Sequence, residues 1–141
     1  MSRNLTYNKS YVPLPCHEGD EVYRNGIFRF NISRIMEHID AGSLTVKRER
    51  INVEDWFNTH WRTTVNEDHL PTVDITRPVI QAEIRPGTYT IIDGNHRIEK
   101  ADREGVPYVD SYKVQGEQLV PYFINSDGYK AFVDYWNSKL G

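Results

Sequence analysis

The sequence predicts an α+β fold: a single compact domain with a small mixed β-sheet flanked by helices. Three observations carry that prediction. Two strand-like runs, Val79–Ile84 and Thr88–Ile92, are separated by Arg85-Pro86-Gly87, whose Pro and Gly fit the central positions of a type II turn, so they form an antiparallel hairpin. The second run leads directly into a helical pattern that Gly105 and Pro107 stop, and Val106–Val114 then reads as a returning strand. Apolar residues at helical spacing recur near both ends of the chain.

At 141 residues, with 38% hydrophobic and 26% charged residues, three Trp, nine Tyr and five Phe, the chain can bury a core without disulfides or metal. Its single cysteine, Cys16, allows no internal disulfide, which points to a reducing compartment. No apolar run approaches the ~20 residues of a membrane span and no signal peptide is evident, so the expectation is a cytoplasmic protein. A net charge of −3 and an isoelectric point near 5.9 argue against a general phosphate-backbone binder, leaving room only for a local basic patch.

In chain order, residues 1–26 carry Pro13, Pro15, Gly19 and Gly26 and read as an irregular arm ending at an Asn25-Gly26 turn; residues 27–141 form the domain proper, with a C-terminal helix. After a short extended segment at Ile27–Phe30, Asn31 is an N-cap for a helix with Ile32, Ile35, Met36 and Ile39 on one face, stopped by Gly42. Alternation at Leu44, Val46, Ile51 and Val53 predicts one or two strands, with Lys47–Arg50 on a solvated face. Residues 54–62, EDWFNTHWR, have no clean period. Asn66–Leu70 predicts a short helix before Pro71. The strand at Val106–Val114 would run parallel to the one at 88–92 if the two pair directly through a right-handed crossover. Tyr129, Phe132, Val133, Trp136 and Leu140 form the core stripe of a last helix, capped by Ser126 or Asp127.

The chemistry concentrates in Asp93-Gly94-Asn95-His96-Arg97, at the strand-to-helix junction. The first N–H groups of a helix lack intrahelical partners and carry the positive end of its dipole, so such a turn is a natural anion site. Gly94 lets the backbone approach a phosphate, Asn95 can cap the helix, and His96 and Arg97 add donors beside the amides. The plain alternative is that Asp-Gly is a common turn, Asn a common cap and the Arg points to water. The five histidines show no HxxxH pair and there is one cysteine, so no metal site is predicted; no P-loop or Gly-x-Gly-x-x-Gly fingerprint occurs.

Residues 93–97 with Lys100-Ala101 and Gly105 resemble the DGxHRxxKAxxxG signature of the ParB/sulfiredoxin-like superfamily. The resemblance covers about residues 74–114, with a weaker match around 44–62. It implies a mixed-sheet α+β fold whose turn and helix start bind nucleotide phosphates, in a family that includes sulfiredoxin, CTP-using ParB proteins, a nucleotide-dependent free-serine kinase and ParB-like nucleases. Where sulfiredoxin has its catalytic cysteine this chain has Asn95, which cannot supply a thiolate. Where ParB has a Gly-Glu-Arg-Arg motif it has Gly94-Asn95-His96-Arg97, and the stretch after Val114 is too short for ParB's helix-turn-helix domain.

The resemblance therefore implies a nucleotide-dependent phosphotransferase or nucleotide hydrolase, using ATP, ADP or CTP with Mg²⁺ and a small-molecule acceptor. Gly94, Asn95, His96, Arg97 and Lys100 would hold the nucleotide, with Arg97 ahead of Lys100 as the phosphate bridge. His96 would donate to phosphate, move a proton or only orient; Asp93 would hold that imidazole or a metal-bound water, or only fix the turn; Glu54, or Asp55 beside it, would be the base for the acceptor. His60 and Arg62 fall near a polar loop of the ParB type without reproducing its pattern. The alternatives are a non-enzymatic nucleotide- or anion-binding regulatory module and a metal-dependent ParB-like nuclease.

Overall fold

A computed structural model describes residues 3–140. The elements run β1 (Val22–Asn25), β2 (Phe28–Asn31), α1 (Ile32–Ala41), β3 (Lys47–Asn52), α2 (Val53–Thr59), β4 (Val79–Arg85), β5 (Thr88–Asp93), α3 (Asn95–Arg103), β6 (Tyr108–Val114), α4 (Gly116–Leu119) and α5 (Ser126–Lys139). β1 and β2 make a two-stranded sheet, and the other four strands make a mixed sheet in the order β3-β6-β4-β5. The predicted hairpin is β4–β5, and Gly87 has the positive φ of 79° that its turn requires.

The strand after α3 does not pair with β5, as a direct crossover would have it; β4 lies between them. β4 shows why. Val79, Ile80, Gln81, Ala82, Glu83 and Ile84 are all buried, as befits a strand flanked on both sides, and the Gln81 amide donates to Ser111 Oγ of β6 at 3.0 Å. β3 pairs antiparallel with β6, from Lys47 opposite Lys113 to Asn52 opposite Tyr108, which leaves β3 at the sheet edge.

The contacts divide the chain into two units, each discontinuous in sequence. The first comprises the described residues up to Val46, Ala82–Thr90 and those from Val114. Val22–Asn25, read from sequence as part of the irregular arm, is a strand here: it pairs with Phe28–Asn31, and Tyr23 stacks on Phe30 at 5.9 Å. Asn31 caps α1 by accepting from the Arg34 N–H, and Gly42 ends it at φ 79°, as predicted.

The stripe of α5 is core: Tyr129, Phe132, Val133 and Trp136 are at most 2% exposed, and Phe30, Phe123 and Phe132 pack edge-on or tilted against one another. Its cap is Asn125, which accepts from the Gly128 N–H, rather than Ser126 or Asp127, and Leu140 falls beyond the helix. The arm before β1 is tied to α5: Trp136 Nε1 donates to the Arg3 carbonyl at 2.9 Å, Asn137 exchanges two hydrogen bonds with the Leu5 backbone, and Tyr11 stacks on Tyr129 at 3.9 Å.

The second unit comprises Lys47–Gln81 and Ile91–Lys113. Its core joins Ile51, Val53, Val79, Ile91, Ile98, Ala101 and Val109, with Trp56, Phe57 and Val106 against it. Val53 starts a helix rather than extending a strand, because Asn52 accepts from the Asp55 N–H and caps α2. The aromatic stretch without a period is that helix and its exit. Asn66–Leu70 is a turn leading into a 3-10 turn at Leu70–Thr72 that contains Pro71. The Asn66 side chain accepts from the Asp68 N–H at 3.0 Å and more weakly from the His69 N–H at 3.4 Å, closing a single Asx turn that no α-helix continues.

Candidate functional site

β5 buries Ile91 and Ile92 in the core and ends at Asp93. Gly94 then reverses the chain at φ 105°, ψ 18° and is the N-cap of α3. A Cβ there would lie 2.5 Å from Val79 Cγ1 and 2.8 Å from both Val79 Cβ and Arg97 Nη1, so the position demands glycine through conformation and contact alike. Asn95, expected as the cap, is instead the first helical residue, and its amide donates to the Ile91 carbonyl at 3.4 Å. No side chain caps the first turn of α3, and that turn contains no acid. Its leading backbone N–H groups are the donors the turn offers, at residues that are half-buried rather than sealed.

Arg97 is buried at 9% exposure and faces inward. One guanidinium nitrogen donates to the Pro78 carbonyl at 2.7 Å and the other to Asp93 at 3.3 Å. Its charge also reaches Asp74, whose carboxyl lies below its usual value chiefly because the Thr76 hydroxyl and N–H donate to it, with Arg77 and Arg97 adding to the effect. The residue expected to bridge phosphates thus locks the entry to β4 onto the start of α3.

Lys100 is likewise engaged, donating to the carbonyls of Pro71 and Val73 at 3.0 and 2.8 Å. His96 Nε2 accepts from the Asn66 N–H at 3.0 Å, which fixes the neutral tautomer with its proton on Nδ1, and the ring meets His69 edge-on at 5.2 Å. Glu99, 9% exposed at its side chain, receives Arg62 through both oxygens and Arg103 through one; Arg62 also donates to Asp102, and Arg103 to Glu67. His96, Glu99, Lys100 and Arg103 recur at the spacing of one helical stripe, and that stripe holds the 62–73 segment. Arg62 lies over Phe57 at 3.9 Å, and His60 stacks on Trp56 at 3.5 Å, so neither belongs to the turn.

Compared with known protein families, curated proteins and solved structures, the chain matches none.

Glu54 does not join the turn. It is exposed on α2 and lines a cleft of about 270 Å³ with Asn52, Asp102, Gly105 and Pro107, beside the C-terminal end of α3. Asn95 and Asp102 are seven residues apart on α3, about 10 Å along its axis at the usual helical rise, so the proposed base and the proposed phosphate site sit at opposite ends of one helix. Asp93, Gly94, Asn95, His96 and Arg97 do come together.

Sequence reasoning missed Arg62, Asn66 and Glu99 as organisers of the site. A signal was present in the polar i, i+3, i+4, i+7 stripe of α3, which a freely solvated helix does not need. Among the described residues no three His, Cys, Asp or Glu side chains gather as a metal-ligand set, and no helix is long and apolar enough to cross a membrane.

Proposed function

We propose that this chain is a ParB/sulfiredoxin-like domain whose 93–97 turn binds the phosphate of a nucleotide, in the service of phosphoryl transfer to a small acceptor or of nucleotide hydrolysis. The observation that carries the reading is the uncapped first turn of α3, entered through a left-handed position that only a residue without a side chain can supply. The binding groups are then the leading N–H groups of α3 and the Nδ1–H of His96, while Arg97 and Lys100 shape the turn from behind. ATP, ADP or CTP with Mg²⁺ suits this arrangement. Asp93, the carboxylate at the turn, is tied to Arg97, so the residues fit a magnesium ion carried in on the phosphates better than one held by the protein.

A second reading, a non-enzymatic nucleotide- or anion-binding module, is favoured by one feature: Glu54 is at the far end of α3 and Asp93 is paired, so neither expected carboxylate is placed to take an acceptor's proton. A metal-dependent nuclease would have to build its metal site on the substrate's phosphates, for want of a preformed ligand set among the described residues.

Thermal shift against ATP, ADP, CTP and GTP with Mg²⁺ tests binding. Saturation at about 100 times the dissociation constant stabilises by about 2.7 kcal/mol, several degrees for a domain of this size. Asn95→Asp sets a negative charge beside the phosphate turn; it gives up the long 3.4 Å bond to the Ile91 carbonyl but suits a helix N-terminus, so it should abolish the shift with only a small change in the unliganded melting temperature. An unchanged shift in Asn95→Asp, or no shift with any nucleotide in the folded parent, would overturn the assignment. Phosphate release in the presence of candidate acceptors separates enzyme from module.

A further inference from the structure

The basic run Lys47-Arg48-Glu49-Arg50 is most of β3, an edge strand whose residues 47–50 are all exposed. The register with β6 places Arg48, Arg50, Tyr108, Asp110 and Tyr112 on one face of the strand pair. Each arginine there lies over a tyrosine: Arg50 over Tyr108 at 4.4 Å and Arg48 over Tyr112 at 5.1 Å. Asp110 is ion-paired with Arg48 at 3.3 Å, whereas Arg50 has no carboxylate partner among the described residues. Beside Arg50 and Tyr108 opens a cleft of about 360 Å³, its other walls formed by Ile75, Thr76, Val106, Val109 and Asp110.

We propose that this face binds single-stranded nucleic acid. A guanidinium placed over a tyrosine ring is partly ordered before any ligand arrives, and the exposed side of each arginine is left to stack on a base. Arg48 and Arg50 sit two residues apart on an extended strand, about 6.8 Å, which presents two such planes in succession along the strand axis. The cleft next to Arg50 accepts one base between that plane and the Ile75–Thr76 wall, and the unpaired guanidinium edge faces the adjoining phosphate. Charge supports the choice of partner: this face carries two guanidinium groups, Arg48 and Arg50, against one carboxylate, Asp110, in a chain whose net charge is −3. Two stacking planes on an edge strand suit a flexible single strand. They are too shallow to enter a duplex groove.

This surface is independent of the 93–97 turn, so its test is too. Fluorescence anisotropy of the full chain with labelled DNA and RNA single strands of about 12 nucleotides should show binding that weakens several-fold between about 50 and 200 mM salt, as contact with about two phosphates requires. Tyr108→Ala and Arg50→Ala should each weaken it about 10-fold at unchanged melting temperature, both residues being exposed. Arg50→Lys, which keeps the charge and loses the plane, should weaken it nearly as much as alanine. No binding at about 100 µM strand, full affinity in Arg50→Lys or Tyr108→Ala, or equal affinity for a duplex or a lone mononucleotide would each overturn the proposal. β3 would then be a charged edge that only discourages strand pairing.

Discussion

Replacing Arg97 by alanine separates its two roles, ligand bridge and internal clamp. The side chain is 11% exposed and makes a 2.7 Å bond to the Pro78 carbonyl and a 3.3 Å ion pair with Asp93, itself 17% exposed. Orphaning a buried carbonyl costs about 1–3 kcal/mol. Removing one member of a buried ion pair costs about 3–5 kcal/mol when the remaining charge is fully dry, and the residual hydration of Asp93 places this case toward the lower end. The two penalties overlap, since both arise from the same guanidinium, and together give about 3–4 kcal/mol. Against a typical domain stability of about 5–15 kcal/mol that is a large loss, and with a urea slope of about 2 kcal/mol per molar it lowers the unfolding midpoint by about 1.5–2 M. Arg97→Lys keeps a charge able to reach one of the two partners, so it should lose roughly half as much. The measurement is urea unfolding by circular dichroism, with nucleotide-induced thermal shift run on the same samples. If Arg97→Ala loses less than about 1 kcal/mol while nucleotide binding disappears, Arg97 is a ligand-binding group and the clamp is refuted.

Two further predictions follow from the charged networks. Glu99→Ala leaves Arg62 and Arg103 without their common partner, so amide exchange at Asn66 and proteolysis within 60–69 should accelerate, with a stability loss of about 2 kcal/mol; protection equal to the parent would show that the segment is held by other contacts. Acid should destabilise the first unit. Burial pushes the Glu83 carboxyl up, but Arg3 and the N–H groups of Gly87 and Gly116 outweigh it and hold it below its usual 4.5. Asp20 is drawn from 3.8 down to about 2 by the His17 N–H first, then by Asn31 and Arg34. Folded-state pKa values below the unfolded ones mean stability that is complete above about pH 5 and lost as the pH falls through 4.5 and on toward 2. Glu83→Gln should flatten the stability profile between about pH 5 and 3, and a profile as steep as the parent's would remove Glu83 as a source of the acid sensitivity.

Local chemistry is what the sequence reported well. Asn31 and Gly42 bound α1 because a capping amide and a left-handed glycine act on their own few residues. Pro86-Gly87 set the hairpin, and the α5 stripe identified its buried face. The junction of β5 with α3 at Asp93-Gly94 was legible for the same reason, and so was the candidate anion site built on it. The aromatic 54–62 stretch was opaque because its helix is short and its aromatic rings follow no one face: Trp56 and Phe57 pack on the core, His60 stacks on Trp56, and Trp61 is exposed.

The sequence by itself determined which donors and acceptors the 93–97 turn and the start of α3 carry; only the tertiary structure decided which partners they meet. Arg97, Lys100 and His96 could all be named in advance. Their partners, the Pro78, Pro71 and Val73 carbonyls and the Asn66 N–H, lie 19 to 30 residues away and meet α3 only after the 62–78 segment has folded over it. The same holds for Glu54, adjacent to the site by resemblance but carried to the far end of α3 by the placement of α2, and for β6, which passes β5 to pair with β4. A side chain's identity fixes what bonds it is able to make, while desolvation on folding fixes which bond it must make, because a buried donor takes whichever acceptor the packing brings to it.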